Sequence, residues 1–169
     1  MPLGSVQQHK PVLGFTGSAK QESICARIRN FLKSFELNFA DYTKAIVEIV
    51  QLKGTYSLVI DRTNWKFGRI EINLLVLAVV ITSQFSIPLL WKALPKKGNS
   101  NTTERIDLLQ SFVGIFGSNT IACLIANREF VGKHWIDYLI KNNIPFFIRI
   151  KANRLVEWDE APEGIFQSP

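Results

Sequence analysis

The 169-residue sequence predicts an α/β fold, a mixed sheet covered by helices with an N-terminal helical segment, on three observations. Apolar residues recur at helical spacing as far as Val50, change to dense apolar runs between Tyr56 and Trp91, and then alternate between helical and strand patterns up to Ile150. Glycines at 54, 68 and 117 punctuate these changes, and a chain of this length buries enough surface for one core.

The first helix is predicted to start at Ser18, with Gln21 three residues later completing a capping box. Ile24, Ile28, Phe31, Leu32 and Phe35 share one face, and Arg27, Arg29 and Lys33 lie elsewhere on its surface as a solvated or DNA-facing basic side. A second helix packs through Tyr42, Ala45, Ile46, Ile49 and Val50, so residues 18–53 form the N-terminal helical segment. The core, residues 55–154, opens with a buried strand from Tyr56 to Ile60 that ends at Asp61, and Gly68 marks a turn. Strands follow at Ile70 to Ile81 and Phe85 to Trp91, completing a three-stranded meander. A polar loop containing Lys96 and Lys97 leads to a helix capped by Asn101 and Glu104, with Ile106, Leu109, Phe112, Val113 and Phe116 on its apolar face and Gly117 at its end. A strand at Ile121 to Ala126, a helix from Phe130 to Lys141 and a strand at Phe146 to Ile150 complete the core. Three strands, then helix, strand, helix and strand, is the order of a ribonuclease-H-like fold. Residues 155–169 read as an irregular tail, and Met1 to Ser5 resembles a cloning or protease-site scar.

Lysine and arginine outnumber aspartate and glutamate by 20 to 14, a formal charge of +6 that favours polyanionic partners through phosphate neutralisation. The longest apolar run, Leu74 to Ile81, is eight residues, too short for a membrane span of about twenty. Cys25 and Cys123 lack zinc-ligand spacing and are predicted to be small buried hydrophobes, so a reducing cytoplasm is the simplest compartment. His9 and His134 have no neighbouring ligand either, and His134 is predicted to be a surface side chain on its helix.

Asp61 closes an apolar strand, the rigid placement that a divalent-metal ligand requires, although an aspartate there also serves to cap the strand and pair with a neighbouring arginine. Three strings surround it: Asp61-Arg62-Thr63-Asn64-Trp65-Lys66-Phe67-Gly68, Gly98-Asn99-Ser100-Asn101-Thr102, and Ile125-Ala126-Asn127-Arg128-Glu129-Phe130-Val131-Gly132. They closely resemble motifs of DDE transposases of bacterial insertion sequences, and the resemblance runs from roughly Arg27 to Arg154.

That resemblance implies a ribonuclease-H-like catalytic domain that cuts and joins DNA with Mg²⁺ or Mn²⁺, acting on terminal inverted repeats and target DNA, with a homodimer as the full-length form and a bacterial, nucleoid-associated location. It makes Asp61 the first catalytic, metal-binding aspartate. The second falls on Asn127, within what is usually Ala-Asp-Arg-Glu-Phe. An amide brings a neutral carbonyl where a hard cation needs negative charge, so strand cleavage should be largely lost. Glu129 belongs to the same motif and is predicted to make a structural ion pair. The family's third carboxylate lies in a Tyr-x2-Arg-x3-Glu-x6-Lys motif that is not found between Arg154 and Pro169, and Glu157, Glu160 and Glu163 read as surface charges, so the chain is expected to be a truncated core. Trp65, Lys66, Arg69, Lys96, Lys97 and Arg128 are the candidate DNA contacts, by stacking and by phosphate pairing, with packing in the core an equal reading for Trp65. A non-enzymatic DNA-binding or interaction module derived from a transposase is the alternative.

Overall fold

A computed structural model describes residues 18–150. The chain divides into two units, Met1–Asn38 and Phe39–Pro169. In the first, helix α1 spans Gln21–Ser34. Its N-cap is Lys20, two residues later than the predicted cap Ser18, in extended conformation and with no side-chain cap, so Ser18 and Gln21 form no capping box. Along its apolar side only Ile24 is buried, while Phe31 and Phe35 stack on each other with ring centroids 4.7 Å apart.

In the second unit the elements run α2 (Phe39–Ile49), β1 (Tyr56–Phe67), β2 (Ile70–Thr82), β3 (Phe85–Ala93), α3 (Thr102–Phe116), β4 (Ile121–Ala126), α4 (Lys133–Lys141) and β5 (Phe146–Ile148). The sheet order is β3-β2-β1-β4-β5. The meander strands pair antiparallel, whereas β4 and β5 join parallel to β1 and to each other. This is the ribonuclease-H-like topology that the element order predicts.

Alternation along the strands sends Leu58, Ile60, Leu75, Leu77, Val79 and Leu124 into the core, where Leu109 and Phe112 of α3 and Trp135 and Leu139 of α4 meet them. Each such side chain contributes roughly 1.5–3 kcal/mol by leaving water. At the sheet edge, α2 packs on β3 through Phe39 and Tyr42 against Trp91. Its buried centre is Thr43, whose hydroxyl donates to the Leu89 carbonyl at 3.0 Å, while Ile49, predicted on the packing face, is 77% exposed. That carbonyl is free because Leu89 is an extra residue: Leu77 pairs with Leu90 and Ala78 with Pro88, a bulge on the edge strand where proline is tolerated.

Further boundaries differ from the pattern reading. The first strand does not end at Asp61 but continues to Phe67, because β2 stays paired with it all the way to a two-residue turn at Gly68 and Arg69, with Gly68 at φ +61°. The second and third strands run on to Thr82 and Ala93. The helix predicted from Phe130 starts at Lys133, since Arg128–Phe130 forms a separate 3₁₀ turn. The last strand stops at Ile148. Both cysteines are half-buried rather than buried, and His134 is exposed. The tail, the proposed scar, His9 and the three late glutamates lie outside the described residues.

The capping box at α3 is present in full. The Asn101 side chain accepts from the Glu104 N–H at 2.9 Å, and the Glu104 carboxylate accepts from the Asn101 N–H at 2.7 Å. Burial would raise the Glu104 pKa, but the hydrogen bonds from Lys96 and from the Asn101 N–H outweigh it and hold the carboxyl below its ordinary value. Because its folded pKa is depressed, this support is fully present above the ordinary carboxylate pKa and is lost as the pH falls from there through the lower folded value. Asn101→Ala should cost about 1 kcal/mol and lower the melting midpoint by about 4 °C in a calorimetric scan at neutral pH.

Candidate functional site

The parallel pairing of β1 with β4 ends at Ile60 and Ala126, and the residue that follows each of them is a member of the predicted pair, Asp61 on β1 and Asn127 just past the end of β4. Asp61 is exposed, and its Oδ1 accepts from the Asn127 Nδ2–H at 2.9 Å and from the Arg62 backbone N–H at 2.8 Å. Asn127 also caps its own turn, since its Oδ1 accepts from the Glu129 N–H at 2.8 Å. That bond dictates which way round the amide sits: with the oxygen committed to an N–H donor, the NH₂ must face Asp61.

Arg62 does not pair with Asp61. Its guanidinium grips Glu129 instead, Nε to Oε1 at 2.9 Å and Nη2 to Oε2 at 3.2 Å, which is the ion pair expected of Glu129. The same guanidinium reaches the side-chain oxygens of Asn73 and Asn99, both at 3.3 Å. Asn73, buried near the start of β2, donates to the carbonyls of Lys96 and Gly98. Arg105, buried on α3, donates to Ser100 Oγ at 2.9 Å, to the Ser100 carbonyl and to the Glu129 carbonyl, and its guanidinium lies 4.9 Å from the centre of the Phe130 ring. Burial lowers the Arg105 pKa, against the opposing pull of Glu129 and Glu104.

Pattern reading missed Arg62, Asn73, Asn99, Ser100 and Arg105 as parts of this network. The signal was available at two of them: Asn73 directly precedes the unbroken apolar run Leu74 to Ile81, and Arg105 sits beside Leu108 and Leu109 on the inward face of α3. A polar residue at a core position must find partners, so both marked a network before its partners were known.

Of the candidate DNA contacts, Trp65, Lys66, Lys96 and Lys97 line one groove of about 260 Å³ together with Asn64, Glu71, Ile72, Asn73 and Gly98. Trp65 is 45% exposed and is therefore not a core residue. Lys96 pairs with Glu104 at 2.9 Å and Lys97 with Glu71 at 3.0 Å. The Lys97 pair is exposed, and a pair of that kind is worth only about 0–1 kcal/mol, so a phosphate can compete for Lys97, whereas Lys96 is tied more firmly to the largely buried Glu104. Arg69 stands at the hairpin turn and Arg128 beside Asn127, both exposed and both outside this groove.

The atoms that face one another do not fit a divalent cation. One carboxylate oxygen meets an N–H donor, which repels a cation, and the side-chain oxygen of Asn127 already accepts a hydrogen bond within its own turn. No group of three or more His, Cys, Asp or Glu able to hold a metal occurs among the described residues. Nor is any helix among them long and apolar enough to cross a membrane.

Sheet order and strand direction together give the domain a ribonuclease-H-like fold. No protein-family model and no curated protein sequence matches the chain. Among solved structures, similarity is found to the HTLV-2 integrase catalytic core domain in complex with magnesium. Its dimeric form has 13% identity and a TM-score of 0.41, over 57% of this chain and 62% of that one. Its trimeric form has 13% identity and a TM-score of 0.43, over 58% and 62%. An intasome of simian T-cell lymphotropic virus in complex with a PP2A regulatory subunit gives 14% and 0.42, over 60% of this chain and 34% of that one. Each match thus spans less than two thirds of the integrase chain.

Proposed function

We propose that this chain is a nucleic-acid-processing domain of the DDE recombinase type, the catalytic core of an insertion-sequence transposase, and that in its present sequence it binds DNA without cleaving it. The observation that carries this reading is the meeting of Asp61 and Asn127 at 2.9 Å, each one residue beyond the end of the parallel ladder that joins β1 to β4. A second carboxylate at position 127 would face Asp61 across the same gap, an arrangement that holds hard cations for phosphoryl transfer. With the amide in place, no metal-dependent step is available to this pair. In the full protein the partners are terminal inverted repeats and target DNA, engaged as a homodimer in the bacterial nucleoid.

DNA engages the groove, where Trp65 offers a face for base stacking and Lys66, Lys96 and Lys97 offer charge to phosphates. A gel-shift salt titration on duplex and single-stranded DNA tests this. Binding should be sequence-tolerant at about 50 mM salt and weaken steeply with added salt, and the double variant Lys96→Ala with Lys97→Ala should lower the log–log salt slope by about 2. No binding at low salt would remove the DNA role. The misfit of Asn127 to a cation also favours a second reading, a transposase-derived DNA-binding module with no catalysis in any form. An otherwise full-length protein with Asp at position 127 separates the two, since only the first reading expects strand transfer from it.

A further inference from the structure

Beyond Ile60 and Ala126 no ladder hydrogen bond joins β1 to β4, yet Asp61 and Asn127 are held in contact. Two side-chain ties cross the gap. One is the Asn127 to Asp61 hydrogen bond itself; the other is the doubly bonded pair of Arg62 with Glu129, whose side chains are only 14% and 18% exposed. Neighbouring residues of a strand point to opposite faces, so Arg62 grips the 128–130 turn from the side of β1 away from Asp61.

Both ends of this second tie are braced. Arg62 also reaches Asn73 and Asn99, which stops its fork from turning. Glu129 is fixed through its N–H by Asn127 and through its carbonyl by Arg105. We infer that Arg62 and Glu129 are positioning residues whose clamp sets the gap between Asp61 and position 127, an inference that rests on reading those two positions as the ligand pair of the site. The clamp matters most with a carboxylate at 127: the first tie then becomes a repulsion, and only the second still holds the turn against β1.

The first test needs no metal. Glu129→Gln preserves shape and removes the charge, and Arg62→Lys preserves the charge and removes the fork. In either variant, provided it still melts cooperatively, exchange of the Asn127 side-chain amide protons with water, measured by NMR, should speed up at least about tenfold. The Ile60 and Leu124 backbone amides should keep their protection. Unchanged Asn127 exchange in a folded variant overturns the clamp, and should Glu129→Gln fail to fold, Arg62→Lys decides by the same readout. The second test compares Mn²⁺ affinity, by calorimetry, of the Asn127→Asp chain with and without Glu129→Gln. The clamp predicts a loss of about 10- to 100-fold, the range for outer-shell supports, and equal affinities overturn it. If neither chain binds Mn²⁺, the ligand-pair reading falls and the amide exchange alone decides the clamp.

Discussion

Asn127→Asp is expected to convert a closed hydrogen-bonded pair into a site that demands a cation. The Glu129 N–H would still hold one oxygen of the new carboxylate, leaving the other facing Asp61 where the amide now donates at 2.9 Å. Two like charges at that range cost on the order of 1 to 4 kcal/mol, depending on how far water screens them. The variant should therefore melt several degrees below the parent in chelator, and millimolar Mg²⁺ or Mn²⁺ should restore the loss or more. The parent should show no such response. Differential scanning fluorimetry with and without the ion, backed by titration calorimetry, measures both. A variant whose melting ignores both ions would sink the assignment of Asp61 and position 127 as a metal pair.

Arg105→Ala carries the largest expected effect on stability. The guanidinium satisfies Ser100 Oγ, the Ser100 carbonyl and the Glu129 carbonyl, and lies against Phe130, which is itself fully buried. Its removal leaves buried acceptors without donors and opens a void, together about 2–4 kcal/mol and roughly 10 °C in melting midpoint. Arg105→Met refills most of the volume while supplying no donor. It should recover only a minor part of the loss, and full recovery would show that packing rather than the polar ties accounts for the cost.

Much of the sheet was legible because its strands are dense in apolar residues and separated by turn chemistry that can act in only one way, as at Gly68 and Gly117, both at positive φ. Helix α3 declared both ends through Asn101, Glu104 and Gly117. The end of β1 was not legible, because the run Arg62 to Lys66 looks like a loop by polarity and is held as a strand by long-range pairing with β2. The start of α4 was missed for the opposite reason: Phe130 fits the helical pattern, but Asn127 and Glu129 spend their local hydrogen bonds on a 3₁₀ turn. At the site, Asp61 and Asn127 were readable as a pair only through motif resemblance. The side chains that hold them come from β1, β2, α3 and two loops, a convergence that no local spacing encodes.

The continuation of β1 past β4 has a consequence for how this protein meets other chains. From Asp61 to Phe67, β1 has β2 on one side and, among the described residues, no strand on the other. A bare row of peptide groups of this kind invites a foreign strand to add itself. Charged side chains at Asp61 and Lys66, with Arg69 at the tip, make that addition unfavourable. The proposed ligand and DNA-contact residues therefore also keep the ribbon single, and stripping them of charge to disable the site would weaken the protection of this edge against aggregation.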